Sequence, residues 1–148
     1  MERNAGFTLS EMLIVVAVLA IMAAIAIPSF MALLPGMRLN GATRQVMTDL
    51  MNARMKAVKL NHRTKVFFDN SYQYRICDDA DTDLTVTSGE GDVETKSIQA
   101  EYPNVTLSGS PDPVFQPRGT ANGTTITVTN SSGSKDVKVA ITGRIKIE

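Results

Sequence analysis

The amino-acid sequence predicts an α+β fold: a long N-terminal α-helix, transmembrane in its first half and amphipathic in its second, packed on an antiparallel β-sheet. Residues 12–27 contain no charged or polar side chain. Residues 37–61 repeat apolar side chains at steps of three and four, which is the period of a helix. Beyond residue 63, short segments alternate apolar and polar side chains, as half-buried strands do.

Charge is balanced overall but uneven along the chain. The 148 residues include 15 basic and 15 acidic side chains, so the net charge predicts no nucleic-acid or anionic-membrane partner. Residues 38–75 carry eight basic and two acidic side chains, whereas residues 78–112 carry nine acidic and one basic. Without residues 7–34, the chain is still long enough for one modest hydrophobic core.

The N-terminal apolar segment has three interpretations. Residues 7–34 are long enough to span a bilayer, which needs about 20 apolar residues. A cleaved secretory signal would use Arg3 as its positive end and Ala24-Ile25-Ala26 as its cleavage site. The alternatives are an ordinary membrane anchor, or a helix that begins in a membrane and later packs against copies of itself. Glu11 disfavours the secretory signal, because it stands where the apolar region of that signal should start.

Glu11 also has two interpretations. An acid within a membrane segment is costly unless it has a partner or a function, although a position near one end lowers the cost. Glu11 is therefore either an interfacial flank or a charge that pairs with an amine on a neighbouring chain. Pro28 either ends the helix or interrupts it locally, and Pro35-Gly36 is a second weak point.

Residues 6–11, Gly-Phe-Thr-Leu-Ser-Glu, with the apolar run and Pro28 after them, resemble the class III signal of type IV pilins and type II secretion pseudopilins. The resemblance implies a leader peptide over residues 1–6. It implies that prepilin peptidase cleaves after Gly6 and methylates the new N-terminal residue, Phe7.

The same resemblance assigns the assembly of subunits to the helix of residues 7–34. It implies that Glu11 pairs with the Phe7 amine of an adjacent subunit, and that the helix continues past Pro28. The expected location is the bacterial inner membrane, crossed once, with residues 35–148 forming a periplasmic globular domain. Expected partners are other pilins or pseudopilins, prepilin peptidase, the inner-membrane assembly platform and membrane lipid.

The amphipathic helix of residues 37–61 is expected to bury one apolar face. This face consists of Leu39, Ala42, Val46, Leu50, Ala53, Ala57 and Leu60. Met47, Met51 and Met55 are expected to fill gaps in the core rather than bind a ligand. Cys77, the single cysteine, is expected to be a small apolar residue in or beside a strand.

Seven strand segments are expected after the helix. They are residues 64–68, 72–77, 105–107, 114–115, 124–129, 137–141 and 144–147. Asp69-Asn70 predicts a hairpin between the first two, and residues 131–134 predict a turn. Residues 78–96 are expected to form an exposed acidic loop, or a loose hairpin at residues 84–86.

A calcium site is an alternative interpretation of the acidic loop. Its ligands would be Asp78, Asp79, Asp81 and Asp83. The spacing matches an EF-hand only in part, and no glycine stands at the required position, so a solvated loop is preferred. We expect no metal and no cofactor.

Residues 114–119, Val-Phe-Gln-Pro-Arg-Gly, and residues 141–145, Ile-Thr-Gly-Arg-Ile, resemble the C-terminal half of the GspH/FimT class of minor pilins and pseudopilins. This resemblance implies a non-enzymatic structural subunit near a filament tip, with a major pilin as the alternative. DNA binding through Arg144, Lys146 and Arg118 is a further alternative, because some FimT-like members bind DNA. A solvated strand end is preferred there, since Lys146 cannot bind phosphate in the bidentate manner of arginine.

Overall fold

The computed structural model describes residues 7–80 and 83–148, and its chain divides into two compact units, Met1–Leu34 and Pro35–Glu148. A 52-residue helix, α1 (Leu9–Leu60), is followed by strands and one short helix. All strand pairs are antiparallel. The predicted α+β class is confirmed.

Helix α1 contains Pro28, Pro35 and Gly36, so the interpretation of Pro28 as a simple helix end is wrong. A helix can retain a proline when its neighbouring hydrogen bonds outweigh the missing N–H donor. The helix ends at Leu60, and Asn61 then adopts a left-handed conformation with φ of 56°. Asparagine tolerates this conformation, which often terminates helices.

The second half of α1 buries the predicted apolar face, apart from its last member. The buried residues are Leu39, Ala42, Thr43, Val46, Asp49, Leu50, Ala53 and Ala57. Leu60 is exposed, because the helix ends there. Met47 is partly buried against the core, but Met51 and Met55 are exposed. Their expected role as core filler is wrong, since both lie to one side of the buried face.

The strands form two four-stranded sheets. Their bounds are β1 (Thr64–Phe68), β2 (Gln73–Asp78), β3 (Glu94–Ser97), β4 (Thr106–Gly109), β5 (Val114–Phe115), β6 (Thr124–Asn130), β7 (Gly133–Val139) and β8 (Ile145–Ile147). The short helix α2 (Ile98–Glu101) follows β3. The sheet orders are β3-β2-β1-β5 and β4-β6-β7-β8.

The predicted β1–β2 hairpin is confirmed, with Val66 paired to Ile76. The predicted turn at residues 131–134 is too long, because β7 already begins at Gly133, opposite Asn130. The strand predicted to reach residue 141 ends at Val139, and Ile141 is exposed. Residues 84–86 form a loop rather than a hairpin, and β3 and α2 were not predicted. The predicted exposure of the acidic loop is wrong at Asp78 and Asp79, which are buried.

The core of the unit Pro35–Glu148 joins the buried face of α1 to side chains of both sheets. Its largest fully buried members include Leu50, Phe115 and Ile126. Cys77 lies in β2, which confirms its predicted place in or beside a strand, and it is buried. A polar pair lies within this core: Tyr74 donates a hydrogen bond of 2.5 Å from Oη to Asp49 Oδ2. Burial, and then the bond to Asp49, raise the pKa of the Tyr74 phenol far above its ordinary value.

Candidate assembly site and surface sites

The apolar part of α1 has no buried side chain among residues 9–32. An 18-residue stretch of the helix reaches a mean hydropathy of 2.8, and none of it is buried within the chain. The helix is thus long and apolar enough to cross a bilayer. An apolar surface of this size is expected to be covered by lipid or by other helices, because water solvates it poorly.

Glu11 is the only ionisable side chain in residues 7–34. It lies in the first turn of α1 and closes a capping box with Thr8. The Thr8 N–H and Thr8 Oγ1 each donate to Glu11 Oε2 at 2.8 Å, and the Glu11 N–H donates to Thr8 Oγ1 at 3.3 Å. These bonds satisfy N–H groups that have no partner inside the helix.

The second carboxylate oxygen of Glu11, Oε1, accepts no hydrogen bond from residues 7–80 and 83–148. Phe7 is 84% exposed and lies next to the cap. Gly6, the predicted cleavage position, lies outside the described residues. The helix start therefore presents one carboxylate oxygen bound within the chain and one that remains available to a donor.

The two C-terminal sequence motifs meet at Gly119 and Gly143. Both glycines have left-handed backbones, with φ of 79° and 76°. A Cβ added to Gly143 would lie 1.9 Å from the Gly119 carbonyl oxygen, so the chain segments touch through backbone. The Gly119 oxygen also accepts a hydrogen bond of 2.8 Å from Arg54 Nε on α1. The motifs thus fasten the loops before β6 and β8 to the helix.

Arg144 and Lys146 line a surface cavity of about 430 Å³ together with Lys138. Glu148 binds both lysines, at 2.5 Å from Lys138 Nζ and in direct contact with Lys146 Nζ. The hydrogen bonds from Lys138 and then Lys146 lower the pKa of Glu148 to about 2. Arg144 has no ion pair with any described residue. Arg118 is exposed and does not line the cavity.

Lys56 forms ion pairs near both ends of the acidic loop, with Asp78 and Asp92. Its Nζ lies 3.0 Å from Asp78 Oδ1 and 3.2 Å from Asp92 Oδ2. Burial opposes the charge of Lys56, but the bonds to Asp78 and Asp92 outweigh this, and the pKa of Lys56 is raised. Asp79 Oδ2 accepts the Leu84 N–H at 3.1 Å.

Within residues 7–80 and 83–148, no three histidine, cysteine, aspartate or glutamate side chains are arranged to hold a metal ion. Asp81, one of the candidate calcium ligands, lies outside these ranges. The described acidic side chains instead bind backbone N–H groups and Lys56.

Two family models match the chain. The model of type II transport protein GspH matches residues 42–143, and that of the prokaryotic N-terminal methylation motif matches residues 1–27. The first match covers more than two thirds of the sequence. The chain belongs to the GspH family. It is a minor pilin or pseudopilin of the GspH/FimT class, and such proteins assemble with other pilins after processing by prepilin peptidase.

Solved structures show the same fold. Two crystal structures of the type IV minor pilin FimU from Pseudomonas aeruginosa are similar to this GspH-family chain, with TM-scores of 0.58 and 0.55. Sequence identity is 17% and 16%. The matches cover 74% of this chain and 87% and 92% of the FimU chains. No curated protein matches the sequence significantly.

Two features of these sites were not predicted from the sequence: the capping box and the contact of Arg54 with Gly119. The capping box was visible as Thr8-Leu9-Ser10-Glu11, the T-x-x-E pattern that opens many helices. The contact of Arg54 with Gly119 was not visible, because 65 residues separate the two partners.

Proposed function

We propose that this GspH-family protein is made as a precursor that is cut after Gly6 and methylated on Phe7. Residues 7–34 then cross the inner membrane once, with residues 35–148 in the periplasm. The assembly platform extracts the subunit from lipid into a type IV pilus or a type II secretion pseudopilus. Its role is structural rather than catalytic.

The proposal rests on one observation: the apolar part of α1 is not buried within the chain and carries a single acidic side chain, Glu11. Residues 9–32 bury nothing within the chain, so lipid before assembly and neighbouring helices after it are the coverings that suit them. Glu11 is the single charge in that surface, and its Oε1 is available.

Cleavage would create a matching charge. A free α-amine has a pKa of about 7.7–8.0, so it is mostly protonated at neutral pH. We propose that the Phe7 amine of one subunit binds Glu11 of the next. In a medium of low dielectric constant this attraction is stronger than in water, and leaving either group unpaired is costly. The pair would therefore select one register among many apolar contacts.

Mass spectrometry of the protein from cells with and without prepilin peptidase tests the processing. The expected mature chain begins at methylated Phe7, and the peptidase-deficient cells should retain residues 1–6. Recovery of a soluble chain trimmed after Ala26 would contradict the proposal.

DNA binding is a second candidate, favoured by the cationic cavity. Glu148 neutralises only one of the two charges on Lys138 and Lys146, and Arg144 is the cavity cation that has no ion pair with a described residue, so the candidate is tested at Arg144. The test is a gel-shift assay of the full chain in detergent. If DNA binds here, retention should fall steeply with salt, and Arg144→Ala should weaken it. Arg118→Ala, an exposed arginine outside the cavity, is the matched control. Absent or salt-insensitive retention contradicts this candidate.

A further inference from the structure

Each of the two sheets ends in two edge strands, and these edges differ in what lies beside them. On the outer side of β5, the Asn122 N–H donates to the Val114 carbonyl at 3.2 Å. On the outer side of β4, the Leu107 N–H donates to the Ser71 carbonyl at 2.6 Å. Edge strand β3, Glu-Thr-Lys-Ser, contains no apolar side chain. The chain itself therefore pairs with two of the four edges, and a third is polar.

The fourth edge, the outer side of β8, is both open and apolar. Arg144 and Glu148, which flank β8, are hydrogen-bonded to β7 through their backbones, at 2.8 Å and at 2.9 and 3.1 Å. Since alternate residues of an antiparallel strand face away from its partner, the backbone groups of Ile145 and Ile147 point outward. No other residue that the structure describes bonds to them. Their N–H and carbonyl groups are available to an added strand.

A groove of about 410 Å³ lies beside this edge, with β8 on one side and α1 on the other. Ile145 lines it from β8, and Met51 and Met55 line it from α1. The two methionines are four residues apart, so they are neighbours on the helix surface. Methionine is flexible and polarisable, and it is common on surfaces that accept apolar side chains of varied shape. Apolar side chains of an added strand would meet these methionines.

One end of the groove is cationic. Lys59 lines it and has no ion pair with any described residue. Arg54 also lines it, but its Nε donates to the Gly119 carbonyl. No acidic residue lines the groove. A carboxylate of an occupant would therefore complement Lys59.

The open edge determines the shape of the occupant. A row of free N–H and carbonyl groups pairs with an extended chain, which adds a strand to the sheet. Because β8 has three residues, about 10 Å of extended chain can pair with it. This chain belongs to a class of minor pilins and pseudopilins, which assemble with other pilins. The neighbours of a minor subunit in a filament are mostly unlike subunits.

We propose that the outer edge of β8 binds an extended segment of a different pilin, which lies in the groove beside α1. Alternate apolar side chains of this segment cover Met51 and Met55, and an acidic side chain reaches Lys59. The proposal rests on the proposed assembly into a filament, and it adds a contact between the globular units of unlike subunits.

Photo-cross-linking of the full chain in filament-forming cells tests this contact. A benzophenone amino acid replaces Met55 in the groove or, as the control, Thr95 on the polar edge β3. Mass spectrometry identifies the cross-linked peptides. We expect an adduct from Met55 to an extended, acid-containing segment of another pilin, and a much weaker one from Thr95. An adduct with a second copy of this chain or with a protein other than a pilin, or no adduct, overturns the proposal.

Two pairs of variants in the Met55 cross-linker chain test the strand pairing and the charge. Ile147→Pro removes an N–H that β7 does not use, whereas Ile147→Ala loses the same side chain and keeps the N–H. Only Ile147→Pro should abolish the adduct, and equal adduct yields would overturn the strand addition. Lys59→Glu, which leaves the backbone unchanged, should reduce the adduct. Arg44→Glu, with the same charge change at another exposed position of α1, should not. Equal yields from these two would overturn the role of charge.

A cross-linker at Ile14 separates this proposal from the proposed function. Ile14 lies in the exposed apolar part of α1, where neighbouring helices should meet. If Ile14 forms adducts with other pilins and Met55 does not, the strand addition is overturned and helix-mediated assembly stands. If neither position forms an adduct, the proposed function falls as well.

Discussion

The two units of this chain differ in whether they bury their apolar side chains. Residues 9–32 of the unit Met1–Leu34 bury nothing within the chain and include one ionisable side chain, Glu11. The unit Pro35–Glu148 buries one face of α1 against two sheets, and its buried acidic side chains, Asp49, Asp78 and Asp79, each accept a hydrogen bond. The second unit is stabilised from within, whereas the first needs an environment that the chain does not supply.

Removing an apolar side chain should therefore affect stability in one unit only. Leu50→Ala is expected to lower the free energy of unfolding by about 2–5 kcal/mol, because Leu50 is fully buried. Leu19→Ala, at an exposed position, should leave it unchanged. Thermal and denaturant unfolding of the full chain in detergent measure both. An equal loss from the two variants would contradict the division.

A methyl group added at Gly143 should disrupt the contact between the two C-terminal motifs, residues 114–119 and 141–145. Gly143→Ala is expected to destabilise the protein by about 2–4 kcal/mol, because the backbone is left-handed and the Gly119 carbonyl occupies the space. Gly89→Ala is the matched control: φ is 100° there, but nothing lies within 4 Å of the added Cβ. Similar losses would mean that backbone conformation alone explains the effect.

The buried polar pair links α1 to β2. Tyr74→Phe should cost about 1–3 kcal/mol of unfolding free energy, since the Asp49 carboxylate loses its donor inside the core. Tyr72→Phe, in which the ring is 40% exposed, should change the unfolding free energy little. Denaturant titration of both variants measures the difference, and a neutral Tyr74→Phe would show that Asp49 finds another donor.

The smallest effect is expected at the surface, at Glu148. Its pKa of about 2 lies below the ordinary 4.5 because Lys138 and Lys146 hold the charged form. A lowered pKa means that any stabilisation is present above about pH 4.5 and is lost as the pH falls toward 2. NMR titration of the Glu148 carboxyl should show the low midpoint, and Lys138→Ala should raise it. A midpoint near 4.5 in the unaltered protein would contradict the pairing.

An element of the fold could be predicted from the sequence when the residues that determine it are close together along the chain. The apolar run, the face of α1 and strands such as β1 and β6 follow from local periodicity, and each was predicted. Strand β3, Glu-Thr-Lys-Ser, has no apolar alternation; it forms because β2 offers it an edge. Met51 and Met55 are four residues apart, but the helical period places them far from the predicted apolar face, so their exposure could have been predicted from the sequence.

The candidate sites follow the same rule. The capping box of Thr8 and Glu11 spans three residues and could have been found in the sequence. The junction of Arg54, Gly119 and Gly143 joins segments far apart, so only the fold reveals it. The pairing of Lys138 and Lys146 with Glu148 likewise depends on the register between β7 and β8.

The central claim is that the charge of Glu11, and not its capping bond, places one subunit against the next. Glu11→Gln keeps an oxygen that can close the capping box but removes the charge, whereas Thr8→Ala keeps the charge and removes the cap hydroxyl. The measurement is incorporation of each variant into sheared filaments or pseudopili, relative to its amount in the membrane. We predict that Glu11→Gln is inserted but not incorporated, and that Thr8→Ala is incorporated. Normal incorporation of Glu11→Gln would contradict the account.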